Sequence, residues 1–528
     1  MSATARLPRG WSRSIAPLFG LAGLLAVWVL ASELLLRHKR AVPPPWEVAG
    51  KMISDIHFYG PHVRQTVGEA GWGYLWGNLF ALAVGAVFVL VPVVERVALR
   101  LVVAVYCLPL IATAPILQII FAGDRAKIAV AAQSVFFTTL VGVTIGLRAA
   151  HPAHLAVVRA AGGGATQQLL RVRLRSAIPG LTSGLKIAAP AALLGAVIGE
   201  FLGGTRGIGV AMIASQQSFN VTRTWGLGIL LTLLSATLYL GTGWLGHRLS
   251  PWQATTTDLG DIVMRRGQAP LWQRAAVTAA YLVGSILLTV ALWSLLLRGF
   301  HLSSFFAKRP SAVWRYLSGA RSARVRTSLG HDLGTTLRNA GLGYLVGTAG
   351  ALGLAVVVAS SRVIEQAVMP VAIALRSVPL VAMTPLVALV FGRGVACVLV
   401  IAGIVTFFPS LVQMVDGLRA TPQPALEAVS AFGGARRDQL VRVRLPYALP
   451  SLFASARIAA PLAIIGATLA EWLATGKGVG NRMVLALSRS NYLDLWATVV
   501  VLTAVAVAVY GLASSLEGVV MRRFGGTT

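Results

Sequence analysis

One phrase is written twice in this chain. Arg171–Leu181 reads RVRLRSAIPGL, and Arg442–Leu452 reads RVRLPYALPSL, 271 positions later in a sequence of 528 residues. The echo extends far beyond the phrase. CLPLIATAPILQIIF from Cys107 parallels VPLVAMTPLVALVF from Val378, so that Pro109 and Pro115 match Pro379 and Pro385. GLRA recurs at Gly146 and Gly417, and GLKIAAP at Gly184 is answered by SARIAAP at Ser455. Glu200 is matched by Glu471, RGIG at Arg206 by KGVG at Lys477, and Trp225 by Trp496. The offset stays at 270 or 271, so the halves align almost without gaps; PPPWEV, ending at Val48, has a weaker echo in KRPSAV from Lys308. Self-similarity on this scale means that one structural unit is built twice.

The unit is apolar. Hydrophobic residues make up 56% of the chain and charged residues 12%, with a mean hydropathy of +0.75. A water-soluble domain carries about 25% charged residues. Ile15–Leu36, Ala126–Gly146, Val277–Leu297 and Trp496–Leu516 are each close to the ~20 residues that cross a bilayer as helix. Backbone groups in lipid must be satisfied within helices or a closed barrel. Barrel strands would be ~10 residues long and alternate in polarity, whereas these runs are longer and apolar all round. The expectation is an all-α polytopic membrane protein with about 12 transmembrane helices in two parallel six-helix repeats. The first repeat takes residues 1–250, a polar cytoplasmic linker 251–273, and the second repeat 274–528. Spans are expected near 15–36, 68–91, 96–121, 127–147, 182–202 and 224–247, then 274–297, 333–358, 363–391, 394–415, 453–473 and 495–516. The third span of each half carries paired prolines that should kink or break it. An even span number per half makes the repeats parallel rather than inverted.

The net charge of +29 could suggest nucleic acid, but the basic residues sit in loops between spans, as the positive-inside rule requires. The loop 148–181 carries five arginines and no acid; its counterpart 416–452 carries five arginines and three acids. Both are therefore expected on the cytoplasmic side, with both termini. The loop 299–332 disagrees, because it is strongly basic yet falls outside by the same count. Arg6, Arg9 and Arg13 before an apolar run imitate a signal peptide, but the run is long and lacks a clear cleavage site, so a retained first span is expected. Cys107 and Cys397 lie in or beside apolar runs and form no metal spacing or disulfide framework.

The repeated phrase closes the long loop between the fourth and fifth spans. In the second half the loop reads GLRATPQPALEAVSAFGGARRDQLVRVRLPYALPSL. Thr421 and Pro422 suit a helix start, which would put Glu427 near the first turn, where a negative charge favours the dipole. Gly433 and Gly434 should break that helix, and a second should run from about Ala435 until Pro446 and Pro450 end it. RVRL alone alternates like a strand, but it is too short to carry that reading.

EAVSAFGGARRDQLVRVRLPYALP resembles the cytoplasmic coupling loop of binding-protein-dependent ABC importer permeases, nearest to the nitrate, sulfonate and taurine branch. LRSVPLVAMTPL, the glutamate after the fifth span and the GVG turn are also similar to that family, and the resemblance covers nearly the whole chain twice. It implies a bacterial inner-membrane subunit with two permease units fused in one chain. Each coupling loop would dock on one of two cytoplasmic ABC ATPase subunits, which bind ATP and Mg. A solute-binding protein would deliver substrate outside, and the chain would bind no cofactor of its own. The coupling positions are then Gly162 and Gly163 in the first half, and Glu427, Ala428, Gly433, Gly434, Arg436 and Arg437 in the second. The first half has Ala156 and Val157 where the second has Glu427 and Ala428, so the acid is missing there and the second loop is expected to couple more strongly. Glu427 could alternatively serve only as a helix-start charge.

Other positions carry two readings each. Glu200 and Glu471 are acids near the outer ends of spans, where charge is costly and tends to be functional. They could belong to a pathway or gate, or pair with Arg206 and Lys477. Arg376 has Tyr106 as its counterpart; it could attract an anionic substrate, or snorkel to the interface. Pro109, Pro115, Pro379 and Pro385 could open backbone toward a central path or simply kink their helices. No phosphate-binding G-x-x-x-x-G-K-[ST] loop, metalloprotease motif or nucleophile elbow occurs, so the chain is expected to be no enzyme. The rival class is a twelve-span secondary transporter of the major facilitator type, which has no use for duplicated Glu-Ala-x-x-x-x-Gly loops.

Overall fold

The computed structural model describes residues 22–35, 41–249, 271–300, 302–319, 322–361, 364–369, 372 and 383–524. Among these the chain is helical and contains no strand. In the first half the helices are α1 (Ala22–Leu34), α2 (Pro45–Ser54), α3 (Ile56–Leu90), α4 (Pro92–Cys107), α5 (Leu110–Ile120), α6 (Asp124–Arg148), α7 (Pro152–Ala160), α8 (Ala165–Gly203), α9 (Ile208–Gln217) and α10 (Val221–Leu249). The second half repeats them as α11 (Leu271–Gly299), α12 (Pro310–Ser318), α13 (Ala323–Ser360), α14 (Thr384–Phe391), α15 (Val395–Arg419), α16 (Gln423–Ala431), α17 (Arg436–Leu473), α18 (Gly478–Ser488) and α19 (Tyr492–Phe524). Eight of these are long and apolar enough to cross a membrane, and α1 and residues 283–299 of α11 are shorter apolar pieces.

Several expectations need correcting. The third span of the first half is not one helix: α4 and α5 meet at 100° where Leu108 and Pro109 take extended backbone. Proline cannot donate to the helix ladder and forces its predecessor out of the α region. The middle of the expected span 363–391, including residues 373–382, lies outside the described residues, as does the linker up to residue 270. The expected spans 182–202 and 453–473 are only the far ends of α8 and α17, which are 39 and 38 residues long. Pro446 and Pro450 do not end a helix. The Arg-Val-Arg of each copy lies instead in one widened π-type turn, Leu169–Arg173 and Leu440–Arg444, and the helix continues from Leu174 and Leu445. Such a turn already displaces the regular backbone pairing, so a proline just after it removes little.

Packing follows the small residues. α3, α6 and α8 form the first tight trio, and α13, α15 and α17 the second. Where α6 crosses α8, a Cβ on Gly142 would lie 2.7 Å from the Gly180 carbonyl oxygen, and one on Gly180 would lie 2.6 Å from that of Gly142. Lipid tails offer no hydrophobic drive between helices, so close backbone approach and dispersion hold such a crossing. Outward faces keep large apolar side chains exposed, among them Leu79, Phe80, Leu345 and Val346, as a lipid-facing surface requires.

Each half closes with the same tryptophan clamp. Trp28 stacks on Trp225 at 5.9 Å, and Trp293 on Trp496 at 5.0 Å. The Trp225 indole donates to Ala41 O and the Trp496 indole to Phe306 O, both at 3.0 Å. Val48 in α2 and Val313 in α12 are both buried, so the weak echo between PPPWEV and KRPSAV reflects a shared element. The halves meet where α4 packs on α11 and α19, with Ser285 Oγ donating to Val97 O at 2.6 Å, and through two short helices. α5 packs on α17 and α18, while α14 packs on α9 and α10.

Candidate functional site

Two regions of the repeat carry chemistry, and they lie at opposite ends of the longest helices. At one end of α8 and α17 are the loops with the repeated phrase. At the other, roughly 45 Å away at 1.5 Å per residue, are Glu200 and Glu471.

The loops fold alike. α7 and α16 are both nine residues long, and each ends at a glycine in the left-handed region, Gly162 at φ +79° and Gly433 at φ +78°. The next amide reaches back to close the turn, Gly163 N–H to Val158 O at 2.8 Å and Gly434 N–H to Val429 O at 2.9 Å. This is the glycine-closed helix end that an L side chain would strain. The chain then turns into α8 or α17, where Arg173 donates to Leu147 O and Arg444 to Ala359 O, each at 3.2 Å. The repeated arginines thus anchor the loop to the spans. Glu427 is exposed, but it sits in the second turn of α16 rather than the first, because the helix begins at Gln423. Ala428, Arg436 and Arg437 are exposed as well. Phe432, at the tip of α16, is 93% exposed, and Val157 on α7 is 68% exposed. Phe432 escaped the sequence reading, and its counterpart is Ala161.

The glutamates correct a second expectation. Neither pairs with Arg206 or Lys477. Glu200 is buried, accepts the Thr66 hydroxyl on Oε1 at 2.6 Å and accepts the Gly209 amide on Oε2 at 2.6 Å. The Ile208 amide donates to Thr66 Oγ1 at 2.9 Å. Glu471 repeats this with the Thr336 hydroxyl at 2.7 Å and the Gly480 amide at 3.2 Å, while the Val479 amide donates to Thr336 Oγ1 at 2.9 Å. Each glutamate therefore latches α3 or α13 to the turn that follows its own helix. Glycine is required there: a Cβ on Gly207 would lie 2.1 Å from the Glu200 carboxyl carbon, and one on Gly478 would lie 2.2 Å from that of Glu471. The threonines could have been found from sequence, because AGWGYLWG from Ala70 and AGLGYLVG from Ala340 place Thr66 and Thr336 at the same 270 offset.

The proline positions gather at the seam between halves. Pro109 caps α5, Pro115 is buried inside it, and Pro385 in the first turn of α14 accepts from Gln216 Nε2 of α9 at 3.2 Å. Arg376 and Pro379 lie outside the described residues. Part of the basic loop 299–332 is structural, since Arg326 donates to the carbonyls of Leu317 and Gly319. Cys107 and Cys397 are both buried and unpaired. Among the described residues no cluster of side chains could hold a metal ion.

The described residues thus form a doubled all-helical membrane unit with a glycine-turned loop at one end of each copy. The model of the family "binding-protein-dependent transport system inner membrane component" matches the chain twice, over residues 77–254 and 339–525, and the chain belongs to that family. A probable ABC transporter permease of Haemophilus influenzae is 33% identical over 175 residues, covering 33% of this chain and 71% of that protein. The riboflavin transport system permease protein RibX of Chloroflexus aurantiacus is 34% identical over 162 residues, covering 30% of this chain and 60% of that one. The taurine transport system permease protein TauC of Escherichia coli is 26% identical over 259 residues, covering 47% and 94%. Each of these relatives is matched by less than half of the chain, in keeping with two such units in one polypeptide. The family match decides against a major-facilitator-type transporter.

Proposed function

We propose that the chain supplies both permease units of an ABC importer in one polypeptide, with the substrate path along the seam where α5 and α14 each pack on the opposite half. Two cytoplasmic ATPase subunits, carrying ATP and Mg, dock on α7 and α16. A solute-binding protein delivers substrate on the opposite, extracytoplasmic side, and both termini face the cytoplasm of a bacterial inner membrane. The substrate is a small anion of the nitrate, sulfonate or taurine kind, or a small vitamin precursor. Pro109, Pro115 and Pro385 supply bends in backbone facing that path.

The observation that carries the reading is the duplicated helix, left-handed glycine and arginine-anchored return at α7 and α16. In the second loop Glu427 and Phe432 are presented to solvent with no partner of their own described, as docking groups must be. An exposed aromatic that fills a partner pocket is typically worth ~2 kcal/mol or more. Phe432→Ala and Glu427→Ala should each weaken association with the ATPase subunit and substrate-driven ATP hydrolysis, Phe432→Ala by roughly tenfold or more. Val157→Ala in the first loop should do less. Transport unchanged by Glu427→Ala would remove the stronger role given to the second loop.

A further inference from the structure

The basic segment that follows α11 belongs neither to the coupling loops nor to the latches. Residues 300–326 contain Lys308, five arginines and no acid. The helix within it, α12, packs on α19, the last span. Just before α12, the rings of Phe305 and Phe306 meet Tyr492 at 5.5 and 5.0 Å, and Phe306 O accepts the Trp496 indole. Near its other end, the Tyr316 hydroxyl donates to Asp494 Oδ1 at 3.1 Å. Both ends of α12 are thus tied to residues 492–496, where α19 begins. The short helix therefore runs across that span, at the level where the chain leaves the bilayer, and not along it.

Its outward face is defined by sequence spacing and exposure together. Val313 is buried against the protein, whereas Ser311, Trp314, Arg315 and Ser318 are exposed. Positions i, i+3, i+4 and i+7 form one face of a helix. Counted from the proline that opens each helix, the matching face of α2 is Trp46, Ala49, Gly50 and Ile53, all exposed. Trp46 is 57% and Ile53 74% exposed, and α2 packs on α10 as α12 packs on α19. An apolar face that carries a tryptophan at the level of the span ends is a lipid-facing surface. In α12 the same face keeps its tryptophan, Trp314 at 71% exposure, but adds Arg315 and hydroxyls. Among the described residues no acid pairs with Arg315 or with Arg309, the exposed residue that precedes the helix. Asp332 and Asp494, the acids at this level, both hold Arg482, whose Nη1 and Nη2 lie 3.1 and 2.7 Å from them. The cations of α12 are therefore uncompensated, at the end of the bundle opposite the coupling loops, where the positive-inside rule gives no reason for them.

We propose that the outward face of α12 binds the headgroup of an anionic phospholipid at the membrane surface, and that α2 takes lipid without regard to charge. The Arg315 guanidinium meets the phosphate through paired charge-assisted hydrogen bonds. Ser311, one turn before it, donates a further hydrogen bond, and Arg309 adds a second positive charge at the start of the helix. Trp314 lies with its apolar body toward the acyl chains and its indole N–H toward the headgroups. A zwitterionic headgroup brings its own cation and neutralises the two arginines less well. The occupant is lipid and not a docked protein, because the equivalent face of α2 is apolar throughout and stands at the same level of the repeat. The inference uses the ends of the spans and none of the ATPase contacts, so it can fail while the importer reading stands.

The test is photo-crosslinking of the full-length chain reconstituted in phosphatidylcholine vesicles that contain a trace of photoreactive phosphatidylglycerol or of photoreactive phosphatidylcholine, with the labelled residues located by peptide mass mapping. The expected result is a several-fold excess of phosphatidylglycerol over phosphatidylcholine on residues 310–318, and equal labelling by both lipids on residues 45–54. Arg309→Gln/Arg315→Gln, which alters exposed side chains only, should reduce phosphatidylglycerol labelling of α12 by roughly fivefold or more. Gly50→Arg places a cation at the α2 position matching Arg315, where a side chain meets open space, and should create the same preference there. Equal labelling of α12 by the two lipids, or an excess that survives the double variant, would overturn the proposal. Labelling of α12 by neither lipid would overturn it as well, since the face would then stand in water, open to a protein partner.

Discussion

The two outer latches teach by what they share and by what they do not. In both, a glutamate buried at the end of the fifth span accepts one threonine hydroxyl from the second span and one glycine amide from its own turn. That common set is what the fold needs, because the turn must be held against a helix more than 130 residues away in sequence. Around it the halves diverge. The first buries Glu69 and Lys127, and the second replaces them by Asn339 and Val398. The same contrast appears at the other end, where Glu427 and Phe432 face Ala156 and Ala161 in the alignment. A duplicated unit inside one chain has been free to specialise each copy, since neither has to serve in both places.

The largest expected effect tests the shared part. Gly207→Val and Gly478→Val put a side chain into a carboxylate at a positive-φ position. Each should cost several kcal/mol, of the order of ~3 or more from strain and overpacking together, read as a fall in the thermal unfolding midpoint of the purified chain. Equal losses in both halves support a common latch, and a loss in one half only would break the equivalence.

Next in size is the part that differs. Lys127→Met leaves Glu69 buried without its cation, and breaking such a pair costs ~3–5 kcal/mol. Adding Glu69→Asn to Lys127→Val should recover most of that, because it recreates the second half. A double variant no more stable than the single one would show that the pair is not a unit. Thr66→Val should lose about 1–3 kcal/mol by leaving Glu200 Oε1 and the Ile208 amide without partners, and Thr336→Val less, because it orphans only the Val479 amide while Glu471 Oε2 keeps the Gly480 amide.

The smallest effect concerns the peripheral ion pairs. Asp55, just before α3, is held below the usual carboxylate range by the Arg223 guanidinium, whose Nε lies 2.6 Å from Oδ2, with further help from Lys51. Its folded value is lowered, so the stabilisation is fully present above the unfolded value of about 3.9 and is lost as pH falls through the lower folded value. Asp55→Asn should therefore reduce stability at neutral pH by roughly 1 kcal/mol and flatten the acid limb of a stability–pH curve. An unchanged acid limb would show that the pair contributes nothing.

Much of this was legible in the sequence, for reasons that particular residues make plain. The repeat, the membrane class and the glycine-turned loops follow from identities at one offset and from apolar runs, which hydropathy reads well. The full reach of α3 and α13 was hidden, because His62, Arg64 and Glu69, or Arg324 and Arg326, lower the local hydropathy while the backbone stays helical. Glu200 looked ready to pair with Arg206 because they are close in sequence. Only the folded chain brings Thr66 to it and turns the Gly209 amide inward. RVRL alternates in polarity, yet it continues into an apolar helix that captures it as one wide turn. Lys127 and Glu69 are far apart in sequence, and nothing in either segment announces a buried pair.

In the proposed assembly one chain carries two docking units. The most direct measurement is the native mass of the detergent-solubilised complex formed when this chain is purified from its own cells together with its ABC ATPase subunit. One chain with two ATPase subunits is the predicted composition. A complex of one chain with a single ATPase subunit, or two chains around two, would contradict the account.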